Sequence, residues 1–205
     1  MNILHLSFSP RGPDSESHRL ALRIIEHLQR AHPTAARVER ALGTDAPPPI
    51  DGAHATALGA AQASPAEASN AGTLSLSETL ISELERADVV VIATPMHNFS
   101  VPAALKAWID HIVRVRRSFD VGPQGKLGRL RDRPVLVAVS SGGAFSGERA
   151  RQPDFLTPYL RAVLAVIGLR DVTFFTVEGT GGGADAVAQA RARAERALQA
   201  HFDAI

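Results

Sequence analysis

The stretch DVVVIATPMHNFSVPAALKAWIDHI, Asp88 to Ile112, decides the fold. Its first part is a run of β-branched apolar residues with no polar alternation. That pattern marks a strand buried on both faces, the signature of a parallel sheet with helices packed above and below. Its last part spaces apolar residues at helical intervals and opens with Pro102, where a missing N–H costs nothing. Between them lies PMHNF, Pro95 to Phe99. A turn needs only a Gly or an Asp, so a cluster this specific suggests that something sits on it.

The rest of the chain repeats the same alternation. NILHLSF (Asn2–Phe8) reads as a strand, and SESHRLALRIIEHLQR (Ser15–Arg30) as an amphipathic helix with a Ser near its start. Ala36–Leu42 alternates weakly and is a second strand. Residues 43–72 are rich in Ala, Pro and Gly, and read as a long loop holding one short helix. Leu76–Ala87 is an amphipathic helix and Asp88–Thr94 the buried strand. Val101–Arg116 is a helix, with RVRR (Arg114–Arg117) as its solvated end, followed by a Gly-rich loop over Ser118–Arg131. Arg133–Ser141 is another buried strand, Pro153–Gly168 a helix, Asp171–Val177 a strand, and Ala184–Phe202 a closing helix. Five strands alternating with helices give an α/β, three-layer, doubly wound domain with a parallel sheet covered on both faces. A single domain over residues 1–205 is expected.

Bulk properties narrow the function. The chain has 205 residues, 45% of them hydrophobic and 21% charged, with a net charge of +1. It lacks the basic excess of a nucleic-acid binder. With no cysteine, disulfides, thiolate metal sites and cysteine nucleophiles are excluded. No apolar run approaches the ~20 residues of a membrane helix. The N-terminus is too short and lightly charged for a signal peptide. A cytoplasmic protein with no nucleic-acid or membrane partner is the expectation.

In a doubly wound sheet, ligands bind beyond the carboxyl ends of the strands. The first strand delivers Ser7, Ser9, Arg11, Ser15, Glu16 and Ser17 to a helix N-terminus. Hydroxyls and free N–H groups there suit a phosphate, although a serine is equally an ordinary N-cap. No GxxxxGK(S/T) loop is present, which favours a monophosphate over a nucleoside triphosphate. The third strand delivers PMHNF. The fourth delivers SSGGAFSG, where Gly142 and Gly143 let backbone approach a flat ligand. A phosphate pocket beside two such loops describes a site for flavin mononucleotide (FMN). His97 has no neighbour at metal-ligand spacing, so no metal is expected. EGTGGGAD (Glu178–Asp185) follows the last strand and reads as a loop. Ser140 and Ser141 lack a GxSxG elbow, which argues against a hydrolase.

PMHNFSVPAALKAWIDHIVR resembles the PMYNF-x-(I/V)-P-x-x-LK-x-(W/Y)-(I/F)-D motif of the FMN-dependent NADH-azoreductases, flavodoxin-like reductases of quinones and azo compounds. SFSPRGPDSESHRL, VSSGGAFSG and FLTPYLRAVLAVIGLRDVTFFTVEG resemble further segments of that family. The resemblance covers nearly the whole chain and is weakest over 43–72. It implies a flavodoxin-like sheet of order 2-1-3-4-5. It implies FMN with its phosphate and ribityl chain on Ser9, Ser15, Glu16 and Ser17. Pro95, Met96, His97, Asn98 and Phe99 would line one side of the ring, and Ser140, Ser141, Gly142 and Gly143 the other. It also implies a homodimer with flavin at the subunit interface, and ping-pong transfer from NADH or NADPH through FMN to a quinone or azo compound. Asn98 and His97 are the candidate catalytic positions, through backbone donors and a proton respectively. The alternative is a non-enzymatic electron carrier or FMN sensor; carriers of that kind are typically acidic, and this chain is not.

Four positions depart from the family pattern: His97 and Phe145 stand where Tyr and His are usual, and Val121 and Val163 where aromatics are usual. Aromatic residues total only 5%. The expected consequence is a narrower range for aromatic azo dyes than for simple quinones.

Overall fold

The computed structural model describes residues 1–59 and 72–204. The elements run β1 (Asn2–Ser7), α1 (Glu16–Ala31), β2 (Ala36–Arg40), α2 (Gly52–Gly59), α3 (Leu74–Arg86), β3 (Val89–Pro95) and α4 (Ala103–Ile112). They continue with β4 (Phe119–Gly122), β5 (Gly125–Gly128), β6 (Val135–Ser141), α5 (Thr157–Val166), β7 (Val172–Glu178) and α6 (Ala184–Asp203).

Five strands form one sheet of order β2-β1-β3-β6-β7, and every pairing in it is parallel. This is the expected 2-1-3-4-5 order. The two strands with the longest apolar runs, β3 and β6, are central and buried along their length. Successive side chains of a strand point to opposite faces, and the core divides accordingly. Leu4, Leu6, Val90, Ile92, Val137 and Val139 pack against Leu80, Ile81 and Leu84 of α3, Trp108 of α4 and Leu160 of α5. Ile3, Val91, Leu136 and Ala138 face the other way, onto Leu20, Ile24 and Ile25 of α1 and Ala190, Ala194 and Leu198 of α6.

The structure corrects several boundaries. The Gly-rich stretch Ser118–Arg131 is not a loop. It holds the antiparallel hairpin β4–β5, in which Phe119 pairs with Gly128 and Gly122 with Gly125. Gly125, at φ 116°, supplies a turn conformation that L side chains avoid. The helix expected to reach Arg116 stops at Ile112, because Ser118 intervenes. The Ser118 hydroxyl donates to the Ile112 carbonyl and accepts from the Arg114 N–H. RVRR is therefore not a solvated helix end. Arg114 and Arg117 both grip Glu78 of α3, and Arg117 also takes Glu85 through two bonds of 2.6 and 2.8 Å. The helix expected from Pro153 begins at Thr157, where the Asp154 carboxylate accepts the Leu156 and Thr157 N–H groups at 2.9 Å. An acceptor at that point satisfies the orphan donors of a first turn. The short helix expected within 43–72 is α2; residues 60–71 lie outside the described residues. Among the described residues, no helix is long and apolar enough to cross a membrane.

Candidate active site

β1 ends in Ser7, and Phe8 drops into the core with its N–H on the Ala93 carbonyl at 2.8 Å. The chain then turns back over the sheet edge through Ser9, Pro10 and Arg11 to reach α1. Ser15 caps that helix, its Oγ accepting the His18 N–H at 3.1 Å and lying 3.1 Å from Ser17 Oγ. The N-cap reading of Ser15 is borne out, and a capping hydroxyl keeps its own proton to donate. Ser9, Ser15 and Ser17 are all buried, at the positive end of a 16-residue helix. Buried hydroxyls and first-turn N–H groups in that position attract an anion.

This loop is held from below by a residue the sequence did not flag. Gly43, just beyond β2, donates its N–H to the Ser7 carbonyl at 2.9 Å. A Cβ on Gly43 would lie 2.2 Å from the Ser9 carbonyl oxygen. Its reason for being glycine is a close approach to a distant segment, which no local pattern reveals.

β3 ends in Pro95, and the N–H of the next residue, Met96, bonds the Ser140 carbonyl at 2.7 Å. His97 and Ser100 then exchange backbone bonds of 3.0 and 2.9 Å around Asn98 and Phe99, which stand at φ 48° and 68°. Left-handed backbone costs an L residue roughly 1–2 kcal/mol, and strain of this kind concentrates at functional sites. The turn is anchored where the Phe155 N–H donates to the Phe99 carbonyl at 2.9 Å.

β6 ends in Ser140 and Ser141, and Gly142 and Gly143 follow it. Thr180 Oγ1 donates to the Ser141 carbonyl at 3.1 Å, and the Gly181 N–H to the Gly142 carbonyl at 3.1 Å. Further along, Glu178 accepts from the Phe145 and Ser146 N–H groups and from the Ser146 hydroxyl. The two glycines differ. Nothing lies within 4 Å of a Cβ built on Gly142, whereas one on Gly143 would meet Gln152 Oε1 at 2.2 Å. Gly143 packs against the Gln152 side chain. Gln152 in turn donates to Ser141 Oγ at 3.0 Å and to Met96 Sδ at 3.2 Å, tying the two loops together.

The three loops enclose one cleft of about 590 Å³, within the usual range of small-molecule sites. Ser9, Ser15, Glu16, Pro95, Met96, His97, Ser140, Ser141 and Gly142 all line it. Ser17 lies behind Ser15; Asn98 and Phe99 shape the turn beside the cleft, and Phe99 is exposed. Of the four departures from the family pattern, His97 lines the cleft and the other three fall elsewhere: Phe145 is buried in the core, Val163 packs against it, and Val121 is exposed on the hairpin. Arg11 joins the lining, and so do Thr180, from the loop after β7, and Arg191 of α6. Arg191 makes a two-pronged pair with Glu16 at 2.6 and 2.8 Å, which holds the Glu16 carboxyl below the usual carboxylate range. That pair offsets the negative charge Glu16 would otherwise set beside an anion. Glu16 and Arg191 are at opposite ends of the chain, so only the fold reveals the pairing. A second cleft, about 390 Å³, runs along β7 and α6 past Phe174, Phe175 and Arg193, and no residue of the first loop lines it.

The sequence matches, over residues 1–202, a protein family described as having a flavodoxin-like fold. It is 48% identical over 197 residues to "FMN-dependent NADH:quinone oxidoreductase 4" of Pseudomonas fluorescens, covering 96% of this chain and 93% of that one. It is 51% identical over 178 residues to "FMN-dependent NADH:quinone oxidoreductase 5" of Burkholderia lata, covering 87% and 85%. Among solved structures, it superposes on an azoreductase from Bacillus anthracis str. Sterne with a TM-score of 0.82 at 20% identity, over 99% of each chain. An FMN complex of an FMN-dependent NADH-azoreductase from Bacillus anthracis str. Ames Ancestor gives 0.77 at 22% identity, over 98% of this chain and 100% of that one. The structural likenesses show the fold. With the sequence matches, they establish that the chain belongs to the flavodoxin-like family of FMN-dependent NADH:quinone oxidoreductases.

Gly43→Ala is expected to lower stability by about 1–3 kcal/mol, the usual cost of forcing atoms into packed backbone. Gly142→Ala, facing open space, is expected to leave it nearly unchanged. Urea denaturation of both variants checks this, and equal midpoints would refute the close-approach role of Gly43.

Proposed function

We propose that the cleft seats FMN and that the chain uses it to pass two electrons from NADH to quinones, azo compounds being a second acceptor class. The observation that supports this best is the convergence of the buried Ser9 and Ser15 hydroxyls at the α1 N-terminus, with Ser17 behind them, and two backbone-rich loops on one cleft. The phosphate is assigned to Ser9, Ser15, Ser17 and the first-turn N–H groups, and Glu16 with its Arg191 partner to the ribityl side. The ring is assigned to the space between Pro95–Phe99 and Ser140–Gly142, with Gly143 acting through Gln152.

Bound FMN supplies reversible hydride chemistry, and the protein's part is position and electrostatics. The bonds that close the 97–100 turn use the His97 and Ser100 N–H groups. Those of Asn98 and Phe99 take no part in them. These two donors are assigned to the ring edge, where a preorganised dipole favours negative charge as it develops. Holding them there requires left-handed backbone, which accounts for the strain. The His97 imidazole, exposed at the cleft mouth, is placed to give a proton to the second substrate. The nicotinamide and the quinone use the same open face in turn, consistent with ping-pong exchange.

The subunit arrangement is assigned from surface chemistry. Phe99 and Phe155 are 44% and 60% exposed and joined by a backbone hydrogen bond beside the cleft; Val121 and Leu127 of the hairpin are also exposed. Large apolar side chains left on a surface mark an interaction site, and a second copy of the chain is the partner proposed. The non-enzymatic carrier reading has less support, because the net charge is +1 and the relatives are named as oxidoreductases.

Purified protein is expected to be yellow, to bleach under NADH without oxygen, and to regain its colour on adding a benzoquinone. A yellow protein that NADH does not bleach would mark a carrier or sensor, and a colourless one that takes up no FMN would refute the site. Light scattering is expected to give twice the 21.8 kDa chain mass, and Phe155→Glu to shift it toward the single chain. A monomeric wild type would refute the proposed dimer.

A further inference from the structure

Behind the phosphate cradle, three side chains from three elements meet. His5 of β1 stands directly opposite Glu39 of β2 in the parallel register, so both point to the same face. His5 Nδ1 lies 3.5 Å from Glu39 Oε1. His18, in the first turn of α1, packs its ring against His5 with centroids 5.3 Å apart and planes at 44°. One donor atom from each of the three falls within 4.8 Å of the others.

The His5 ring has no exposure, and neither of its nitrogens has a hydrogen-bond partner. A buried imidazole left this way is costly, and a native structure that keeps one calls for an explanation. The contact with Glu39 is too long to be a good hydrogen bond and would satisfy only one of the two nitrogens. His18 Nδ1 lies 3.4 Å from Ser7 Oγ, a contact about as long as that of His5 with Glu39. Glu39 is held on its solvent side, where Arg37 takes Oε2 at 2.6 Å and leaves Oε1 turned to His5.

We propose that His5, His18 and Glu39 form a binding site for one divalent transition ion of the zinc type. Two imidazoles and one carboxylate are a common three-ligand zinc set, with a fourth position left for water. Zinc–ligand bonds of about 2.0–2.1 Å in a tetrahedron put donor atoms about 3.3 Å apart and the two imidazole centroids about 5 Å apart. The observed 3.5 Å between His5 and Glu39 and 5.3 Å between the ring centroids lie close to these, with every donor pair within 4.8 Å. A magnesium or calcium ion would call for oxygen ligands instead. The three residues are far apart along the chain, so nothing in the sequence led to expecting a metal; the β1–β2 register brings them together. His18 also gives its backbone N–H to Ser15, so an ion here anchors the turn that carries the cradle. The assignment stands on these three residues and does not depend on what occupies the cleft.

Zinc ion alone, titrated into the full-length FMN-loaded protein in competition with a chromophoric chelator, is expected to bind at one per chain with micromolar or tighter affinity. It is also expected to raise the melting temperature by several degrees, as a ligand of the folded state must. Glu39→Gln and His18→Gln should each weaken binding at least tenfold with the far-UV circular dichroism unchanged. Glu39 opens to solvent, so its variant is expected to fold even if the other does not. His32→Ala, at an exposed histidine outside the cluster, should change nothing. No saturable binding, or binding unaltered by Glu39→Gln and His18→Gln, would overturn the site.

Discussion

Everything at the cleft depends on β3 being buried on both faces between β1 and β6. Its run Val89 to Ala93 is almost wholly excluded from solvent, and so is Thr94. A strand so enclosed admits one register, because a slip by one residue would exchange the two core faces. That register puts Ser7 beside Ala93 and Pro95 beside Ser140. The serine loop, the PMHNF turn and the SSGG loop therefore begin at the same sheet edge. The apolar effect sets the scaffold, and the scaffold sets where polar backbone becomes available.

Once the strands end, hydrogen bonds take over from burial. Gly43 supports the serine loop, Gln152 joins the second loop to the third, and Thr180 and Gly181 join the third to the segment after β7. The left-handed Asn98–Phe99 turn is held by the paired His97 and Ser100 backbone bonds and by the Phe155 N–H on the Phe99 carbonyl, which is how a strained conformation persists. Charge is handled in the same way. Among the described residues, Glu16 is the only carboxylate that lines the cleft, and Arg191 from the closing helix meets it.

Much of this was legible in the sequence wherever a pattern was local. VVVIAT and RPVLVAVSS announced central strands through unbroken apolar runs, and Pro102 announced a helix start. Nine of the thirteen residues proposed for the site line one cleft, because strand ends converge by topology and not by contacts that must be guessed. What escaped notice was non-local. Gly122, Pro123 and Gly125 read as loop signals, but the pairing of Phe119 with Gly128 makes the stretch a hairpin. Arg114 and Arg117 looked like a solvated run until α3 supplied Glu78 and Glu85. Gly43, Thr180 and Arg191 have their reasons in residues far along the chain, as do His5, His18 and Glu39.

The central claim is that one cleft at the carboxyl edge of β1, β3 and β6 holds the cofactor by its phosphate. A crystal structure of the FMN-loaded protein tests it most directly. The account predicts phosphate oxygens within about 2.7–3.2 Å of the Ser9, Ser15 or Ser17 hydroxyls, and the ring between Pro95–Phe99 and Ser140–Gly142. A phosphate seated instead in the second cleft, against Phe174 and Arg193, would contradict it.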